Sequence, residues 1–152
     1  MTHVREQIRT RAVSVLTGLA TTGANVFPSR VHPFHKDGTE LPGLAVYTMS
    51  EEIENEEGDA LSHIQNRSVL LTVEGYVSTQ DPEALEKLLD DIAEEVETAI
   101  FADQFFTGLA IGTDLMGTES GLSEEAEKPV GVIILIFRVI YLTNEGEPGT
   151  AQ

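Results

Sequence analysis

A chain of 152 residues with 41% hydrophobic content is long enough to bury one core and matches the usual size of a single domain. It has no cysteine, which excludes disulfides, zinc–thiolate sites and thiol nucleophiles, and its formal net charge of −17 works against any grip on nucleic-acid phosphates. The charge is unevenly placed: residues 1–50 hold five bases against three acids, a balance of +2, and residues 51–152 hold four against 23, a balance of −19.

The N-terminus, MTHVREQIRTRAV, lacks the apolar run of a signal peptide. The longest apolar stretch, Val130 to Phe137, falls well short of the ~20 residues of a membrane helix. A soluble protein made in the cytoplasm is expected. Val4, Ile8, Ala12, Val15 and Leu19 then recur at helical spacing, with Thr2 as N-cap and Gly18 or Gly23 as stop. Arg5, Arg9 and Arg11 project from the other faces. They form either a solvated surface or a basic patch for an acidic partner, including another copy of the chain.

Asn25 to Arg30 is interrupted by Pro28 and reads as an edge strand. His32 and His35 flank Pro33, which biases the backbone away from the helix that a histidine pair would need to share a metal, so a surface loop is expected there. Leu44 to Thr48 is an apolar strand that runs into six acids without a base: Glu51, Glu52, Glu54, Glu56, Glu57 and Asp59. Like charges at that density repel and hold such a segment in water. From Arg67 to Val77 the pattern alternates, with Val69, Leu71, Val73 and Val77 on the core face. The two strands predict a long hairpin with the acidic segment as its tip.

Asp81-Pro82-Glu83 is a strong helix start, with a capping acid, proline in the first turn and a carboxylate at the positive end of the dipole. Leu85, Leu88, Leu89, Ile92, Val96 and Ile100 mark its apolar stripe; Glu83, Glu86, Asp90, Asp91, Glu94, Glu95 and Glu97 lie opposite. Those carboxylates are either a solvated surface or a site for hard cations such as Mg²⁺. Leu109 to Met116 predicts one more strand, Gly117 to Lys128 a second polar loop, and Asn144 to Gln152 a disordered tail. Val130 to Thr143 is apolar on both faces, with Arg138 as the lone charge. Such a strand needs cover on both sides. Two helices can cover one side, which leaves the other for a neighbouring subunit, with a carboxylate partner for Arg138 across that interface.

The predicted fold is α+β: a mixed, largely antiparallel sheet of four to five strands with two main helices on one face, as one domain over residues 1–143. No phosphate-binding glycine motif, nucleophile elbow or HExxH is present, and the chain is read as non-enzymatic and without a cofactor.

The element order carries a resemblance. A helix, VREQIRTRAVSVLTGL, leads to NVFPSRVHPF and LPGLAVYTMSEEIE; an arginine-led strand, RSVLLTVEGYV, precedes the DPEALEKLLDDIAEEVETAI helix and a final apolar strand ending in Tyr141 and Thr143. From Val4 to Thr143 this resembles the tail terminator proteins of phages with long non-contractile tails, the family of the lambda minor tail protein U. The resemblance implies a hexameric ring at the head–tail junction of the virion. Such a ring caps the tail tube, stops its polymerisation and presents the surface that joins the head. Its partners would be the major tail tube protein and a head-completion or connector protein, with DNA only passing through the lumen and no membrane involved. On this reading Arg5, Arg9, Arg11, Arg30 and Arg138 meet acids of the next subunit, and Glu51 to Asp59 dock on the tube. Divalent cations or salt assist assembly by screening. Two other readings stay open: another neck or tail completion protein, and an acidic mimic of DNA that inhibits a nucleic-acid enzyme.

Overall fold

The computed structural model describes residues 2–29, 40–55, 63–123 and 130–152. Two α-helices, α1 (Val4–Leu16) and α2 (Pro82–Ala102), pack on one face of a five-stranded mixed sheet. Its strands are β1 (Val26–Phe27), β2 (Gly43–Asn55), β3 (Ile64–Ser78), β4 (Gly112–Ser123) and β5 (Val130–Asn144), ordered β1-β2-β3-β5-β4. Only β1 with β2 is parallel; the other three pairings are antiparallel.

The alternation of β3 and β5 sets the core. Val69, Leu71 and Val73 lie opposite Val139, Phe137 and Leu135, and all six are fully buried under the helices. Leu85, Leu89, Ile92, Val96 and Ile100 supply the buried stripe of α2, while Leu88 is only partly buried. The Asp81 carboxylate accepts the Glu83 N–H at 3.1 Å and Pro82 opens the helix. Two glycines let α2 approach the sheet closely. A Cβ on Gly75 would stand 2.8 Å from Ile92 Cγ2, and one on Gly131 would stand 3.0 Å from Leu85 Cδ1.

Several boundaries differ from the sequence reading. α1 is capped by His3, whose Nδ1 accepts the Arg5 N–H, rather than by Thr2. Its fourth buried residue is Leu16, with Val15 and Leu19 only packed against the core. β2 runs on to Asn55 instead of stopping near Thr48, because β3 is long enough to pair with it as far as Gln65. β4 likewise continues through Gly117–Ser123, where a loop is expected from composition; pairing with Val130–Ile136 supplies the order that the polar residues lack.

The tail from Asn144 is folded rather than disordered. Val4 N–H donates to Pro148 O at 2.8 Å, Gln7 Nε2 donates to Gly149 O at 3.0 Å, and Ala151 bridges to Thr143. The last residues thus extend the sheet beside β5 and cover the start of α1. Arg30, His32, His35, Glu56, Glu57, Asp59 and Lys128 lie outside the described residues.

Candidate functional site

Two features stand out: a buried ionic cluster at one end of the sheet, and the sheet face that the helices leave uncovered. The cluster begins with a register break. Thr48 pairs with Leu71 but Glu51 pairs with Val69, so β2 carries one extra residue between them. That bulge turns Glu51 from the outer face to the core face. Its side chain is 5% exposed. Oε2 accepts from Arg5 Nη1 at 2.9 Å and from Arg67 Nη1 at 3.1 Å, and Oε1 accepts from the Tyr141 hydroxyl. Arg67, itself 8% exposed, also donates through Nε to Thr143 Oγ1 at 2.9 Å and through Nη2 to Gln65 Oε1 at 2.8 Å.

The cluster ties α1, β2, β3 and β5 together beside the folded tail. Burial, and then the hydrogen bond to Glu51, raise the Tyr141 pKa above the ordinary tyrosine range. Burial, and then the Arg5 charge, lower that of His3.

Glu51 is therefore a structural anchor and not part of an open docking loop. Glu52 and Glu54, on the other face of β2, are exposed and remain in a strand. The described arginines also spend hydrogen bonds on their own chain. Arg5 pairs with Glu51, Arg9 Nη1 donates to Thr48 Oγ1 at 3.2 Å, and Arg11 Nε meets Asp103 Oδ2 at 2.7 Å. Arg138 Nη2 meets Asp114 Oδ2 of adjacent β4 at 2.8 Å, so the carboxylate expected from another subunit is supplied within the chain. This pair is partly exposed and contributes at most about 1 kcal/mol.

The uncovered face carries Val132, Ile134, Ile136, Ile140 and Leu142 of β5 and Leu70 of β3, all half-buried. Both described helices are on the opposite side. Tyr47 and Tyr76 both donate to Glu74 on this face, each at 2.6 Å. Burial, and then that hydrogen bond, raise the Tyr76 pKa above the ordinary range. Two polar atoms here, Thr72 Oγ1 and Arg138 Nε, are buried and have no hydrogen-bond partner among the described residues.

A second local feature lies past α2. Phe106 and Thr107 hold positive φ angles of 48° and 57°, a conformation that costs non-glycine residues roughly 1–3 kcal/mol each. The turn buries Phe106 completely and leaves its neighbour Phe105 51% exposed.

Among the described residues no cluster of His, Asp and Glu is arranged to hold a metal ion. No described helix is long and apolar enough to cross a membrane. What the two surfaces offer is packing area, hydrogen bonds and charge. No protein-family model and no curated protein matches the chain. Among solved structures it is similar to a chain of the virion of a native gene transfer agent (GTA) particle. The two share 17% sequence identity with a TM-score of 0.47, over 91% of this chain and 90% of that one.

Proposed function

We propose that the chain is a non-enzymatic structural subunit of a phage-like virion. It forms a ring at the head–tail junction, caps the tail tube and offers the surface to which the head joins. One observation carries the reading: β5 is aliphatic on both faces, and the described helices cover only one of them. Leaving five aliphatic side chains of β5 partly exposed forfeits part of the roughly 1.5–3 kcal/mol that full burial of each would contribute. A subunit that assembles recovers it against a neighbour.

The element order on which the resemblance to tail terminators rests agrees with the order of the folded elements. The acidic balance suits a lumen through which DNA passes without sticking. Each copy brings a formal charge of −17, so self-repulsion opposes ring closure until salt screens it.

Light scattering across a salt series, with negative-stain microscopy, tests this reading. The expected outcome is a rise to about six times the chain mass at high salt and a six-fold ring with an open hole. A compact monomer at every salt concentration overturns it.

A further inference from the structure

The first four N–H groups of α1 are all satisfied, and the C-terminal tail supplies one of the acceptors. Glu6 and Gln7 donate to His3 O at 2.9 and 3.1 Å, Arg5 donates to His3 Nδ1 at 3.0 Å, and Val4 donates to Pro148 O at 2.8 Å. His3 and the tail thus share one helix end, and His3 lines a single cavity there with residues 146–150. Gln7 Nε2 spans the same junction, donating to Thr2 O at 2.8 Å and to Gly149 O at 3.0 Å. Further along, Gln152 N–H donates to Leu142 O at 2.9 Å, on the edge of β5 past Ile140, where pairing with β4 ends.

This junction requires a neutral imidazole. Nδ1 is an acceptor, and protonation puts a hydrogen on it that faces the Arg5 N–H, donor against donor. It also adds a positive charge at the positive end of the helix dipole. The charged and titratable groups around the ring are Arg5 and Glu6 of α1, Glu51 of β2, Arg67 of β3, Tyr141 of β5 and Glu147 of the tail. Glu51, a carboxylate that favours a charged ring, already accepts from Arg5, Arg67 and Tyr141. We propose that His3 is an acid-operated latch: protonation of its ring breaks the cap of α1 and frees the tail, residues 145–152, from the helix start and the β5 edge. Burial, and then the Arg5 charge, lower the His3 pKa from the ordinary 6.5. The stabilisation from the neutral ring is therefore whole above that value and is lost as the pH falls from it through the lowered one. His63 acts in the opposite sense, since its Nδ1 lies 3.0 Å from Glu145 Oε2 at the base of the tail and protonation strengthens that pair. The latch belongs to the single chain and needs no neighbouring subunit.

Amide hydrogen exchange of the whole chain, followed by NMR at pH 7.5 and pH 5 with each rate divided by its intrinsic rate, tests the latch. Protection of the Val4 and Gln152 N–H groups should fall about fivefold at pH 5, the equilibrium factor of one lost N-cap, while Leu71 of central β3 stays protected. His3→Asn keeps an acceptor without a titrating ring, so its Val4 and Gln152 should be equally protected at both pH values. His63→Asn should behave as the parent does. No fall in the parent, a fall shared by Leu71, the same fall in His3→Asn, or its disappearance in His63→Asn overturns the proposal. If His3→Asn fails to fold, the parent's own titration decides: tail amides that shift with the midpoint of the His3 ring support the latch, and a different midpoint overturns it.

Discussion

Replacing Glu51 by alanine is expected to destabilise the fold by about 3–5 kcal/mol, the cost of removing one partner from a buried ion pair. Arg5, whose side chain is 38% exposed, can turn to water, but Arg67 cannot. Its guanidinium would stay inside with only Thr143 and Gln65 as neutral acceptors, and the Tyr141 hydroxyl would lose its acceptor as well. With an m-value of ~2 kcal/mol/M, the urea midpoint should fall by about 2 M. Glu52→Ala and Glu54→Ala, one and three residues further along the same strand, should each stay within about 0.5 kcal/mol of the parent, because their side chains stand in water. Equal midpoints for Glu51→Ala and Glu52→Ala would contradict the anchoring role.

Gly75→Val should cost roughly 1–3 kcal/mol, from overpacking rather than from a cavity. The first added carbon already meets Ile92 Cγ2 at 2.8 Å and Ile133 Cγ2 at 3.1 Å, and valine adds two more atoms on the side where α2 lies. The helix must lift or side chains must leave their rotamers. Gly117 provides the comparison: a Cβ there meets nothing within 4 Å, so Gly117→Ala should leave stability within about 0.5 kcal/mol of the parent. The mechanism has its own signature in a double-mutant cycle. Ile92→Ala removes the clashing methyl, so Gly75→Ala should cost less in the Ile92→Ala background than in the parent. Additive losses in urea titrations would rule the clash out as the cause.

The alternating residues of β3 and β5, the Asp81-Pro82 start of α2 and its apolar stripe are legible because one residue type repeats with the period of the element. The pairing of β2 with β3 follows from the same pattern. What is not legible depends on single-residue insertions. A bulge in β2 after Thr48 reverses which side chains face the core, and nothing in the acidic run marks Glu51 as different from Glu52. Half of the signal was present: Arg67 shares the parity of Val69 and Leu71, which places its guanidinium on the core face. A buried arginine requires a carboxylate, and the bulge delivers it.

The second half of β4 reads as a loop because glycine, serine and glutamate have low strand propensity; its long antiparallel pairing with β5 outweighs that. The folded tail is invisible for a similar reason, since its order comes from partners at Val4, Gln7, Leu142 and Thr143 rather than from its own residues. The arginines expected to meet a neighbouring subunit show the limit of charge reading. Their surroundings in the fold, not their count, determine that Arg5, Arg9, Arg11 and Arg138 bond within the chain.

Growth of tail tubes from purified tube protein, with and without this chain added in the salt range where it assembles, tests the capping role most directly. Electron microscopy should show tubes arrested at shorter lengths, with one ring seated at a single end of each. Tubes that reach the same lengths in both samples, with bare ends, would contradict it.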